Sequence, residues 1–154
     1  MRFYPESFPL FDHEPTQDRF EIRRIGESVG EGVVSLSYFE PNEIVFAFTG
    51  VFSSFVTQFT LQVNDHLHLH DPYFMGKILH CCEPNCSVDM QTRLFTCLKP
   101  IRPGDFVTMD YAQTEARLFK PFPCECGAAN CRGVVRGYLE VAEENGLSVA
   151  RIAS

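Results

Sequence analysis

The sequence predicts a mainly β domain. Apolar residues recur with a period of two in several short runs, and turn signals built from Gly, Pro and Asn separate those runs roughly every ten residues. The 154-residue length suits one domain with a real core.

Residues 1–18 read as an irregular lead-in, with Pro5, Pro9 and Pro15 breaking regular structure and Phe3, Phe8 and Phe11 available for packing. Phe20-Glu21-Ile22-Arg23 alternates apolar and charged, a strand with one side on a core, and Gly26 ends it. Ser28 to Val34 places Gly30 and Gly32 before a β-branched pair, so a tight turn feeds a second strand; the glycines either let a ligand approach the backbone or simply make the turn. After the turn at Glu40-Pro41-Asn42-Glu43, the run Ile44–Phe48 reads as a buried strand. Phe59–Val63 and His66–His70 form a hairpin about Asn64-Asp65, with His66, His68 and His70 on one face. Those imidazoles are compatible with a metal, but alternation with Leu67 and Leu69 is equally that of a half-exposed strand.

Asp71-Pro72 supplies an N-cap and a first helical residue, predicting about two helical turns over Tyr73–Leu79, with Phe74, Ile78 and Met75 inward. Leu94–Leu98 is strand-like, Arg102-Pro103-Gly104-Asp105 is a turn, and Phe106–Met109 is predicted to be the last strand. Tyr138–Glu144 reads as a short helix stopped near Asn145-Gly146.

Composition narrows the function. Hydrophobic residues make up 45% and charged residues 21%, with 15 Phe and no Trp, so the core is Phe-rich and the chain is not a disordered tail. Thirteen basic against twenty acidic residues give a net charge of −7, which disfavours direct nucleic-acid binding and favours a basic protein or peptide partner. The beginning of the chain lacks the pattern of a secretory signal, and no run reaches the ~20 apolar residues of a membrane span. The expectation is a cytoplasmic protein without a membrane partner, or a nuclear one in a nucleated cell. In that setting seven cysteines point to metal or free thiols rather than a disulfide framework.

Two clusters concentrate the chemistry. His80-Cys81-Cys82-Glu83-Pro84-Asn85-Cys86 packs a His and three thiols into one stretch, and Cys124, Cys126 and Cys131 form a second group. Structural zinc takes four sulfur or nitrogen ligands, so the second group needs one more, from among Cys81, Cys82, Cys86, Cys97 and His80. Between the clusters lies Thr108-Met109-Asp110-Tyr111, and the three pieces are expected to meet in space.

Four of these segments together resemble the SET-domain protein lysine methyltransferases that carry a post-SET zinc segment. The family's Asn-His-Ser-Cys-x-Pro-Asn motif is matched by Leu79–Asn85, and its Gly-Glu-Glu-Leu-Thr-x-Asp-Tyr motif by Gly104–Tyr111. Its Cys-x-Cys-Gly-x3-Cys-Arg-Gly signature is matched by Cys124–Gly133, and its early Gly-x-Gly turn by Gly30-Glu31-Gly32. The resemblance spans about Phe20 to Gly133, with no pre-SET region, and implies the SET-domain β-clip fold: short strands, short helices, a C-terminal pseudoknot and a post-SET zinc site. It divides the chain into a lead-in (1–18), a SET domain (19–115), a post-SET zinc segment (116–136) and a C-terminal helix and tail (137–154).

The same resemblance implies zinc held by Cys82, Cys124, Cys126 and Cys131. It implies S-adenosylmethionine bound against Gly30, Glu31, Gly32, Leu79 and His80, with Phe119 or Phe122 over the adenine, and catalysis by Tyr111. The implied activity is methylation of lysine side chains in a basic, histone-like or other protein. Three positions differ from the family pattern: Leu79 stands for Asn, Cys81 for Ser, and Met109 occupies a place often held by Phe or Tyr. The Leu79 difference supports an alternative, a zinc-stapled SET-like binding module without catalysis; a thiol sensor using Cys81 and Cys86 is a further one.

Overall fold

Two antiparallel strands, β1 (Phe20–Arg24) and β2 (Glu31–Ser35), form the first hairpin of a computed structural model that describes residues 1–27, 30–144 and 146. Ile25 donates to the Gly30 carbonyl at 2.8 Å, and Gly30 sits at φ 82°, a conformation open to Gly at little cost. Ser28 and Val29 of the expected turn lie outside the described residues, as do Asn145 and the tail from 147.

Strand β3 (Ile44–Ala47) and strands β8 (Cys86–Asp89) and β9 (Leu94–Cys97) make a sheet in the order β3-β9-β8. A second three-stranded sheet has the order β4-β6-β5, from β4 (Val51–Ser53), β5 (Thr60–Asn64) and β6 (Leu67–His70). In this sheet Gln62 lies opposite His68 and Thr60 opposite His70, so the histidine face is a polar face shared with β5. Among the described residues His66, His68 and His70 form no metal cluster; His70 Nδ1 instead lies 3.2 Å from Thr57 Oγ1.

The core is Phe-rich, as composition predicts: Phe20, Phe39, Phe46, Phe48, Phe74 and Phe95 are all at most 2% exposed. The lead-in belongs to it. Tyr4 is buried and donates to Asp71 Oδ2 at 2.6 Å, and the ring of Phe3 packs on Phe74 at 4.8 Å.

The predicted helix over Tyr73–Leu79 is not present; only a 3-10 turn, Met75–Lys77, forms there. Asp71 does act as a cap, accepting from the N–H groups of Tyr73, Phe74 and Met75 at 2.9–3.0 Å, and Phe74, Met75 and Ile78 do face inward. A helix cannot continue, because Leu79–His80 is strand β7, paired in parallel with β10 (Thr108–Met109). Nor is Phe106–Met109 the last strand. It narrows to β10, with Phe106 in a single bridge to Val34, and β11 (Phe122–Pro123) and β12 (Val134–Val135) follow as an antiparallel pair around the second cysteine group. Helix α1 spans Tyr138–Glu144, the predicted residues. Among the described residues no helix is long and apolar enough to cross a membrane.

Candidate active site and metal centre

The parallel pair β7–β10 brings the His80 and Tyr111 stretches side by side, and Cys81 N–H extends it by donating to the Met109 carbonyl at 2.9 Å. Asn85, the last residue of the Leu79–Asn85 motif, ties the two motifs together. Its backbone N–H donates to Thr108 Oγ1 at 3.0 Å, and its Oδ1 accepts from Thr108 N at 2.9 Å and from Thr108 Oγ1 at 3.2 Å. Its Nδ2 donates to the Phe106 carbonyl at 2.8 Å. An amide offers both donors and an acceptor on one rigid group, so Asn suits this junction and an aliphatic residue does not.

Tyr111 opens a 3-10 turn capped by Asp110, whose Oδ1 accepts from Ala112 N at 3.0 Å. The Tyr111 hydroxyl donates to the Ile78 carbonyl at 2.5 Å, at the entry to β7. Burial raises its pKa well above the ordinary phenol value, and the Glu115 carboxylate pushes in the same direction, so the group is a neutral phenol at physiological pH. The ring centroid lies 5.2 Å from His80 and 6.2 Å from Phe122, and His80 and Phe122 are 6.5 Å apart.

His80 Nδ1 accepts the Tyr111 backbone N–H at 3.1 Å, so its proton sits on Nε2, which faces Cys82 Sγ at 3.4 Å. Burial holds its pKa down to about 4, with Arg132 adding to the depression and Asp110 opposing it. The imidazole is therefore neutral, with both nitrogens engaged inside the protein. Only the backbone of His80 remains to face a ligand.

The Sγ atoms of Cys82, Cys124, Cys126 and Cys131 all lie within 4.8 Å of one another. The Cys82 to Cys124 separation is 3.8 Å, which matches the ~3.8 Å between two thiolates each ~2.3 Å from a tetrahedral metal. This set fits zinc. None of the seven cysteines is in a disulfide. Backbone N–H groups of Cys82 and Ala128 hold the Cys126 thiol down to about 6, whereas burial pushes Cys124 up to about 12. Arg132 N–H donates to Cys82 Sγ at 3.4 Å and its guanidinium to Asp110 Oδ2 at 2.6 Å, joining the cysteine centre to the Tyr111 turn. Cys86 and Cys97 are buried core thiols.

The Gly-x-Gly turn reaches the same region. A Cβ built on Gly32 would lie 2.8 Å from Leu79 Cδ1 and 2.8 Å from Ile25 Cδ1, so Leu79 packs directly on the glycine, while around Gly30 the space is open. Glu31 pairs with Lys77 Nζ at 3.2 Å. Phe122, 36% exposed, belongs to the aromatic group of His80 and Tyr111; Phe119 is 63% exposed and stands outside it.

No family model matches the chain. A protein named methyltransferase flvH from Aspergillus flavus is 37% identical over 60 residues, 38% of this chain and 34% of that protein. Among solved structures, KRYPTONITE in complex with mCHG DNA and SAH aligns with a TM-score of 0.62 at 24% identity, over 76% of this chain and 29% of that one. KRYPTONITE in complex with mCHH DNA, H3(1-15) peptide and SAH aligns with a TM-score of 0.60 at 22% identity, over 75% and 29%. The chain thus spans about a third or less of the length of these proteins. With TM-scores of 0.60–0.62 over three quarters of its length and a mainly β architecture of small sheets, this chain has the SET-domain fold, and it carries a four-cysteine cluster that fits zinc.

Proposed function

We propose that this chain is an S-adenosylmethionine-dependent methyltransferase acting on lysine side chains of a basic protein or peptide. The observation that carries the reading is the convergence at Tyr111: its turn bonds to His80, its hydroxyl to Ile78, and its flank through Asp110 and Arg132 to the cysteine centre. The methyltransferase name of the partial relative and the SAH of the fold neighbours support the donor, and the H3 peptide of one neighbour supports a basic substrate. The neighbours also hold DNA; the −7 charge of this chain supports a peptide as its direct partner.

The donor, when bound, supplies an electrophilic methyl group on a sulfonium. Gly30, Glu31, Gly32 and the backbone of Leu79 and His80 would hold it, with Phe122 covering the adenine more readily than the exposed Phe119. Cys82, Cys124, Cys126 and Cys131 would hold zinc, keeping β11 and Phe122 over the site. Methyl transfer to an amine is an in-line displacement, so the protein must align the reactants and admit lysine as the neutral amine against a solution pKa of about 10.4. An aromatic wall of half-buried Tyr111 and partly exposed Phe122 would disfavour the ammonium, and the Tyr111 oxygen would orient the amine without acting as a strong base.

Incubation with labelled donor and a panel of basic proteins, read by mass spectrometry, tests the proposal. Methyl-lysine on at least one protein is expected, and Tyr111→Phe is expected to reduce transfer by about 10²–10⁴-fold with the fold retained. Donor binding without transfer to any basic protein would sink it. One observation favours a second reading, a binding module without catalysis: Leu79 fills the space beside Gly32 where the family carries an amide. Calorimetry with the donor separates them, since absence of binding favours the module.

A further inference from the structure

The chain leaving Tyr111 runs straight into a buried acid. Glu115 is 4% exposed, and its N–H donates to the Tyr111 carbonyl at 2.9 Å, closing the turn. Its Oε2 accepts the backbone N–H of Gln62 at 2.7 Å, and Gln62 returns the bond: its Oε1 accepts the backbone N–H of Ala116 at 2.8 Å. Both bonds are buried and join residues more than fifty positions apart. The carbonyls of Glu115 and Ala116 then accept from Tyr138 and Leu139 at 2.9 and 3.0 Å, anchoring the start of α1. Gly137 lies so close to the Ala116 carbonyl that no Cβ would fit.

We infer that Glu115 and Gln62 form a reciprocal clamp that positions Tyr111 for methyl transfer, holding the turn from the β4-β6-β5 side as His80 and Ile78 hold it from β7. The inference rests on the proposed role of Tyr111. Stability alone does not account for the acid. Burial pushes the Glu115 carboxyl up to about 7, so it is a costly group to keep in the interior, and an apolar side chain would pack there without that cost. What an apolar residue could not do is accept the Gln62 N–H. That bond fixes the distance between β5 and the turn, and a displacement of about 1 Å at a reacting group can lower rate 10²-fold.

The test compares Glu115→Ala, which loses the acceptor, with Glu115→Gln, which keeps a side-chain oxygen. Turnover and KM for donor and peptide are measured for each, together with the ring resonances of labelled tyrosine, Tyr111 being assigned through Tyr111→Phe. Expected are a fall in kcat of at least tenfold for Glu115→Ala with KM for the donor within about threefold, a shifted Tyr111 resonance, and recovery of both in Glu115→Gln. Unchanged kcat and resonance in Glu115→Ala would overturn the clamp, and so would a Glu115→Gln variant as impaired as Glu115→Ala. Should Glu115→Ala not fold, Gln62→Ala removes the return bond to Ala116 and is read in the same way. If the unsubstituted protein transfers no methyl at all, the methyltransferase reading fails, while the Tyr111 resonance still decides whether the clamp sets the tyrosine.

Discussion

The Phe-rich core and the cysteine segment hold themselves together by opposite means. In the core, Phe46 stacks on Phe95 at 4.4 Å and meets Phe74 at 4.8 Å, with all three rings fully buried. Between Arg117 and Val134, by contrast, no residue is buried. That segment has two short strands, a few polar bonds to Cys82 and Asp110, and three thiols that converge with that of Cys82. One region gains its order from removing apolar surface from water, at about 25 cal/mol per Å². The other has too little such surface, and its thiols are placed where metal–thiolate bonds could supply the order instead. The seam between them is where Tyr111 lies.

The sharpest way to break the comparison is to remove the metal. Cys131→Ser or a strong chelator should cost the zinc stoichiometry, make residues 117–134 the first site of protease cleavage and abolish methyl transfer, while the core unfolds within a few degrees of its usual Tm. A collapse of the whole domain, seen by near-ultraviolet dichroism, would mean that the two regions are not separable. The reverse experiment is Phe46→Ala, expected to destabilise by about 3–5 kcal/mol in urea unfolding while zinc is still bound stoichiometrically.

Glu115 gives the seam a pH signature. Its folded-state pKa, near 7, lies above the ordinary 4.5, so the protonated carboxyl favours folding. That contribution is complete below about pH 4.5 and is lost as pH rises through 7, an effect of at most about 3 kcal/mol. The stability of the protein relative to Glu115→Gln should therefore fall between pH 5 and 8; a difference independent of pH would show that the carboxyl is not perturbed. Asn85→Ala should cost about 2 kcal/mol and loosen β10 from β7, visible as faster hydrogen exchange at Thr108. Smallest is Arg132→Ala. Its bond to Asp110 is partly exposed, so a loss of about 0.5–1 kcal/mol is expected, with zinc retained.

Local pattern made much of this molecule readable. Period-two runs located β1, β5 and β6, a glycine turn before a β-branched pair located β2, apolar or strand-like runs located β3 and β9, and the helix Tyr138–Glu144 has the predicted bounds. Strands β4, β7, β8, β11 and β12, each two to four residues long, escaped because so short a stretch carries little alternation to register. The helix expected after Asp71 failed for another reason. The cap was present, but Leu79 and His80 pair with β10, and long-range pairing overrides local preference.

The sequence by itself determined which side chains were available for chemistry: Tyr111 after Thr108 and Asp110, the Cys124–Cys126–Cys131 spacing, and the Gly30–Gly32 turn. Only the tertiary structure decided how they are used. It brought Cys82 to within 3.8 Å of Cys124 across 42 positions, turned both nitrogens of His80 inward, and made Asn85 and Glu115 into the two braces of the Tyr111 seam. These contacts join residues far apart in the chain, and their cost is loop-closure entropy that no local period records. An isolated Glu between Thr and Ala carries no sign of its partner; the partner exists only once β5 has been laid against the turn.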